Sequence, residues 1–450
     1  MRIVQACLPV PGHLSPNLAL AQALRARGHQ VAVYSGEMAR DAVEREGMTF
    51  FPFHPSLDEI VMRHVLPASG YSPAAGASAA RGRSLNLKAV NAALKEWLLE
   101  TIPYQVADVE RATAAFDADL LVTDPGLLGP ILVLKERLPV PVVVFSMLVA
   151  CSVPGPQVAP SGRGLPPPRT LPSRARAWVE GALIDVLHSD FHGTANEMRL
   201  RFGLPKLRGR VPDEYGRVPL FLVASTPELD YERTDLPPAV HYVGACVWKG
   251  GTAPPPMPAW LAELPRDRPV IHVTEGTIHT REPLLLRAAT EGLRDLPMHV
   301  ILTTGAHRRP DELDLGPWAA NIRVEQFVPH HALFPLTSVV VTTGGAGTVT
   351  TALLAGVPLV VVPTGWDLPE NAQRVAVSGA GVRLAPHDCT PIRLRAAVER
   401  VLSDGSYRQH ARRVGDALRQ RGGAGQAAFL IEEFAATRER TTAAVAGGVS

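Results

Sequence analysis

"VVTTGGAGTVTTALLAGVPLVVVP", residues 340–363, sets a glycine cluster between an apolar β-rich run and a helix-like stretch, and then returns to a second apolar run. A glycine-rich strand-to-helix turn lets backbone N–H groups approach an anion, and the helix N-terminus adds positive potential. Gly344, Gly345 and Gly347 form the turn, and Thr343 and Thr348 flank it with hydroxyls, so a phosphate group is the candidate ligand.

The same rhythm extends outward from this turn. "VIHVTEGT", "MHVILTTG", "IRVEQFVP", "SVVVTTGG" and "PLVVVPTG" alternate with helical patterns, which is how a doubly wound parallel α/β sheet reads. Residues 1–150 show it too, with strands expected at "IVQACL", "VAVYS", 49–53, 120–124 and 142–145 and helical patterns at 88–100 and 128–137. Ser15 is the expected cap of the first helix, Pro16 suits its first turn, and Gly28 is placed to stop it. The expected architecture is α/β, with two Rossmann-like domains facing each other across a cleft. Residues 1–240 are the expected N-terminal domain and residues 241–425 the expected C-terminal one, with residues 426–450 expected to supply a last helix that crosses back, and a tail. The proline-rich stretch "GGTAPPPMP" reads as the linker. Two long stretches, 68–84 and 153–172, interrupt the first domain and read as substrate-facing loops or as surface connections.

Composition narrows the class. At 450 residues the chain suits two domains, and 46% hydrophobic with 20% charged residues describes a globular protein. A formal net charge of +2 gives no cause to expect nucleic acid. The four cysteines are scattered without a CxxC pair, which argues against a disulfide framework or structural zinc. The chain runs from Met1-Arg2 straight into a strand pattern, and its most apolar stretch, 138–151, is broken by prolines and shorter than the ~20 residues of a spanning helix. A cytoplasmic protein without an integral membrane segment is the expectation.

Ligands of open parallel sheets bind at the carboxyl ends of strands. His13 follows strand one there, Asp124 ends "DLLVTD", and the two belong to one sheet. A carboxylate bonded to one imidazole nitrogen leaves the other free to accept a proton, so the pair is a candidate general base. Gly12 and Ser146 are the acceptor-side candidates. In the second domain Gly276 and Thr277 follow a strand as further phosphate contacts, Phe327 can stack on a base, and Asp367 lies just beyond a strand. Each has a plainer alternative: His13 a solvated loop residue, Asp124 a turn residue before Pro125, Phe327 core, Asp367 a helix cap, and the glycine turn close packing. No GxGxxG follows strand one, which counts against hydride chemistry, and no HExxH or other ligand spacing supports a metal. Asp117 and Asp119 form a DxD, but it precedes its strand and falls at the wrong end of the sheet.

Together these residues resemble the family 1 glycosyltransferases of the GT-B fold, which transfer a sugar from a nucleotide diphosphate to a small acceptor with inversion. The resemblance rests on "PGHLSPNLALAQALRARGHQV", "LLVTD", "VASTPELDYERTDLPPAVHYVG", "FVPH" and above all "GGAGTVTTALLAGVPLVVVPTGWDLPENAQRVAVSGAGVRL", and is closest to the bacterial branch that glycosylates natural products such as macrolides. It implies His13 as the base and Asp124 as its partner. It also implies Phe327 with Val328 and His330 at the nucleobase, Gly345, Gly347 and Thr348 at the diphosphate, and Asp367 at the sugar hydroxyls. The expected partners are a nucleotide sugar and a small-molecule acceptor, with no metal or other cofactor and a homodimer allowed. Three positions depart from the family. Thr343 stands where histidine is usual, Thr351 where UDP-sugar enzymes carry glutamate for the ribose, and Leu368 where glutamine is usual. All three are compatible with a dTDP-deoxysugar donor. The alternatives are a UDP-sugar enzyme, a non-catalytic nucleotide-sugar-binding partner and a GT-B epimerase.

Overall fold

The computed structural model describes residues 1–65, 87–147, 153–248, 250, 257–276, 282–305 and 308–447. Thr277, Cys151, the 68–84 stretch and most of the proline-rich linker lie outside the described residues.

Two wholly parallel sheets organise the chain. The first holds β1 (Arg2–Ala6), β2 (Gln30–Ser35), β3 (Thr49–Pro52), β4 (Leu120–Thr123), β5 (Val142–Ser146), β6 (Phe221–Val223) and β7 (Val240–Tyr242), in the order β3-β2-β1-β4-β5-β6-β7. The second holds β8 (Val270–Thr274), β9 (His299–Thr303), β10 (Ile322–Glu325), β11 (Val339–Thr342), β12 (Leu359–Val361) and β13 (Gly381–Arg383), in the order β10-β9-β8-β11-β12-β13. In both sheets the neighbour order reverses beside the first strand, between β1 and β4 and between β8 and β11, and such switch points open a crevice at the strands' carboxyl ends. His13 and Asp124 follow β1 and β4; Gly276 and the glycine turn follow β8 and β11.

The helices that bear on the site are α1 (Pro11–Ala26), α2 (Leu87–Lys95), α3 (Ile102–Ala115), α4 (Ala346–Leu354), α5 (Leu368–Val377) and α6 (Ala424–Gly447). Helix α1 begins four residues before the expected Ser15 cap, which changes the setting of His13. Pro11 occupies the first helical position, where its fixed φ is already helical and its missing N–H is not needed, and Val10 precedes it in extended conformation. Pro16 is carried inside the helix, where it forgoes only the bond to the Gly12 carbonyl. Gly12 and His13 therefore sit on a rigid first turn instead of a loop. Gly28 ends the helix with φ +88°. Helix α3 intervenes between the 88–100 pattern and β4, and β6, β7 and β13 add short strands that the sequence pattern did not announce.

Helix α6 packs against α1, burying Ala427, Ala428 and Ile431 in the core formed with Leu18, Leu20 and Leu24, and its Glu432 bonds His29 at 2.7 Å. The last helix is thus tied to the first lobe. Asp119 receives the Arg2 N–H at the amino end of the first sheet, far along the strands from the cleft. Among the described residues no helix is long and apolar enough to cross a membrane.

Candidate active site

His13 Nδ1 lies 2.6 Å from Asp124 Oδ2, and the other carboxylate oxygen accepts the Gly126 N–H at 2.7 Å. Asp124 is fully buried, whereas the imidazole keeps an exposed edge. With both carboxylate oxygens held, Asp124 is an acceptor for Nδ1–H, and the His13 Nε2 lone pair is left for a proton. Burial pulls the imidazole toward neutrality, but the charge and hydrogen bond of Asp124, joined by the charge of Asp367, carry its pKa above the ordinary histidine value. The turn is braced from below: Asn17 Nδ2 donates to the His13 carbonyl, and buried Gln5 of β1 donates to Asn17. Gly12 is exposed, and a Cβ there would touch nothing within 4 Å. Ser146 is fully buried at the end of β5 and offers no surface to an acceptor.

Across the cleft, Gly344 takes φ +100° and Gly345 caps α4, whose first intrahelical bond runs from Val349 N–H to the Gly345 carbonyl. The N–H groups of Ala346, Gly347 and Thr348 have no carbonyl within the helix to bond. The glycines divide by purpose. Gly344 needs its positive φ, and a Cβ there would press on Val361 at 2.7 Å, whereas Cβ atoms at Gly345 and Gly347 would meet nothing within 4 Å. Packing therefore explains Gly344 alone, and the other two leave backbone bare toward open space. Replacing Gly347 by leucine tests whether this bare backbone receives a diphosphate: helix propensity improves, so the unfolding temperature holds or rises, and if the turn has that role the affinity for a nucleoside diphosphate falls by more than about tenfold, or ~1.4 kcal/mol. Unchanged nucleoside diphosphate binding by isothermal titration would deny the turn that role.

Thr343 does not act as expected. The Thr343 hydroxyl is buried and donates to the Glu275 carbonyl at 3.1 Å, so it joins the ends of β11 and β8 and does not face a ligand. A buried hydroxyl next to a strand end satisfies itself on the nearest carbonyl. Thr351 donates back to the Gly347 carbonyl at 2.8 Å, as helical threonines do. Thr348 is half-buried, and Gly276 has φ +74° with open space at its Cβ position.

Phe327 is 61% exposed, which excludes the core alternative and leaves a ring face free for stacking. Val328 is instead a core residue of the second lobe, so only its main chain can meet a ligand. His330 stacks on Phe334 with centroids 4.4 Å apart, and burial lowers its pKa to about 4, which keeps it neutral. Asp367 precedes α5 without capping it through its side chain. Burial raises its pKa, Asn371 Nδ2 donates to it at 2.8 Å, and it lies within electrostatic reach of His13.

Asn371 was not singled out in the sequence, yet it also donates to the Gly344 carbonyl at 3.0 Å and so joins the glycine turn to Asp367. Its position four residues after Asp367, on the same helix face, was the available signal. Glu370 was missed as well. One of its oxygens accepts the N–H groups of Gly162 and Gly164 at 3.0 and 2.8 Å, and the other pairs with Arg374 at 2.9 Å. Arg374 continues to Asp230 of the first lobe at 2.8 Å, Tyr242 donates to the same carboxylate, and Arg383 holds the Arg163 and Gly164 carbonyls. The 153–172 loop is thereby fastened to the helix that follows Asp367.

Two parallel α/β lobes that bring a histidine–carboxylate pair opposite a glycine turn and an acidic residue define a glycosyltransferase of the GT-B type, and the comparisons with known proteins agree. Residues 288–422 match the family model described as erythromycin biosynthesis protein CIII-like, C-terminal domain. The chain is similar to 4'-demethylrebeccamycin synthase of Lentzea aerocolonigenes, 36% identical over 437 residues, covering 96% of this chain and 99% of that one. It is similar also to demethyllactenocin mycarosyltransferase of Streptomyces fradiae, 29% identical over 439 residues, covering 94% and 84%. The glycosyltransferase VinC, solved in complex with dTDP, shares the fold with a TM-score of 0.68 at 22% identity, covering 97% of this chain and 100% of that one. The chain belongs to the family 1 glycosyltransferases, in the branch that serves natural-product biosynthesis.

Proposed function

We propose that this glycosyltransferase moves a deoxysugar from a dTDP-linked donor to a hydroxyl of a hydrophobic natural-product acceptor, with inversion and without a metal ion. The observation that carries the reading is the 2.6 Å His13–Asp124 pair set opposite Asp367 and the first turn of α4. His13 Nε2 takes the acceptor proton as the oxygen forms its bond to the anomeric carbon. The bond from that carbon to the diphosphate oxygen breaks, and its electron pair leaves with the diphosphate. A single displacement of this kind inverts the centre. The leaving charge grows toward the N–H groups of Ala346, Gly347 and Thr348, and preorganised donors of this type contribute ~3–4 kcal/mol each when water is excluded.

Support for dTDP comes from the residues at the positions that the family resemblance assigns to the ribose and the sugar. Thr351 is engaged with the Gly347 carbonyl, so no acidic side chain stands at that position for a ribose 2′-hydroxyl. Leu368 is apolar and tolerates a deoxygenated sugar. VinC, of the same fold, was solved with dTDP. The test is the rise in unfolding temperature with dTDP, UDP, ADP and NAD at equal concentration, with and without magnesium, since a ligand of the native state stabilises it by mass action. The expected result is a shift largest for dTDP and indifferent to magnesium; a larger shift with UDP overturns the donor assignment, and one that needs magnesium overturns metal independence.

A further inference from the structure

The helix Leu171–Leu187 has 17 residues, and none of them is buried. It forms for local reasons: Thr170 and Ser173 make a capping box, and Pro172 stands in the first turn. Ser173, Ala177, Gly181 and Ile184 form its half-buried side, where a Cβ on Gly181 would meet Pro160 at 3.6 Å. The opposite side carries Leu171, Trp178, Val179, Leu183 and Val186, which are 49–80% exposed, and the smaller Ala175 and Ala182 between them are exposed as well. Helices draw most of their stability from packing an apolar face, and this one leaves its apolar face outward. The five large side chains alone expose about 600 Å², the upper end of what a monomer shows in one patch.

The face has a regular centre. Ala175, Val179, Ala182 and Val186 recur at steps of four, three and four residues, the seam spacing of a paired helix. Laid antiparallel on a copy of itself, this seam sets Ala175 opposite Val186 and Val179 opposite Ala182, small against large at every level. Equivalent flanks meet in such a pair. Arg174 and Asp185 share one flank and come within two residues, or about 3 Å, of the same level along the axis. Each end of the pair therefore brings an arginine to a carboxylate. Within one copy Arg174 has no carboxylate partner among the described residues, and Asp185 meets Arg210 at 3.6 Å with both side chains about half exposed. Arg176 is already taken by Glu180, at 3.2 Å. A parallel pair would instead set Arg174 against Arg176 of the second copy. With its two arginines balanced by Glu180 and Asp185, the helix carries no net charge to hold it on an anionic bilayer.

We propose that this face pairs with the same face of a second copy, helix antiparallel to helix about a two-fold axis. The five large side chains of the two copies together contribute about 1,200 Å², the lower bound for a stable specific interface, before any neighbouring residue is added. The pairing needs neither donor nor acceptor, so it stands or falls apart from the donor assignment.

Sedimentation equilibrium of the full chain at micromolar concentrations tests it, with the variants V179E/V186E, R174D and R174D/D185R. All of these positions are exposed, so the fold of the single copy is spared, which circular dichroism checks. The native chain is expected to be a dimer and V179E/V186E a monomer. R174D weakens the dimer about tenfold or more by setting carboxylate against carboxylate at both ends, and R174D/D185R, which exchanges the charges, recovers it. An apolar association without this register would lose strength in V179E/V186E but ignore the charge exchange. A native monomer at these concentrations, a dimer that survives V179E/V186E, or a charge exchange that fails to recover R174D overturns the proposal. Co-sedimentation of a native monomer with vesicles of phosphatidylcholine and phosphatidylglycerol, lost in V179E/V186E, assigns the face to a bilayer and overturns it as well.

Discussion

His13→Ala loses about 10²–10⁴-fold in turnover, the usual weight of a positioned general base, while dTDP still raises its unfolding temperature as it does for the native protein. The separation follows from placement. His13 stands on the first turn of α1 in one lobe, and the glycine turn with its free N–H groups belongs to the other. Removing the imidazole therefore leaves the proposed nucleotide side untouched and takes away the group that Asp124 holds through Oδ2. Asp124→Asn gives the complementary result in the pH profile. The Asp124 charge holds the His13 pKa above its ordinary value against the downward pull of burial, and the base works only when unprotonated. Activity in the native protein thus falls as pH drops through that raised pKa. Neutralising Asp124 lets burial dominate, so the acid limb moves to lower pH, even as the plateau rate drops because the imidazole is no longer held. Full turnover in His13→Ala, or an acid limb that moves upward in Asp124→Asn, would sink the assignment of the pair.

The sequence carried the sheet strands of the second lobe and the glycine turn because both signals are local. "SVVVTTGG" and "PLVVVPTG" are short apolar runs closed by glycine or proline, and a strand buried on both faces needs nothing more. His13 and Asp124 were legible for a similar reason: each follows a strand, and strand ends in a parallel sheet converge. Helix α1 was misplaced because two prolines compete for its first turn, and the choice of Pro11 over Pro16 depends on how β1 leaves the sheet. Strands β6 and β7 were silent because three residues each are too few to show a period. Thr343 reads as a donor to phosphate until β8 is set beside β11, which brings the Glu275 carbonyl within 3.1 Å. The φ of +52° at Trp366 has no sequence signature at all, since left-handed backbone is announced only by glycine or asparagine.

Arg374→Ala is expected to destabilise the protein by about 3–5 kcal/mol, the cost of leaving a buried charge without its partner. Arg374 is fully buried, as is the Asp230 carboxylate it meets at 2.8 Å, and 144 positions of sequence separate them. On its other side Glu370 is nearly as deeply buried and holds the loop N–H groups of Gly162 and Gly164. The guanidinium also lies over the Tyr231 ring at 4.3 Å. Truncation leaves two carboxylates facing each other in a low-dielectric seam, and their repulsion acts where the first lobe meets the helix behind Asp367. The loss should appear as a lower urea midpoint together with weaker acceptor turnover, because the 153–172 loop loses its anchor. The origin of the loss is separable. If orphaned charge is the cause, Arg374→Leu combined with Asp230→Asn and Glu370→Gln recovers most of the stability, since replacing a buried ion network by neutral groups of similar size is often near neutral. If the lost attraction itself were the source, the triple variant would be no more stable than Arg374→Leu alone. Recovery of stability without recovery of turnover would further separate the two duties of this network, holding the lobes together and setting the loop against the donor helix.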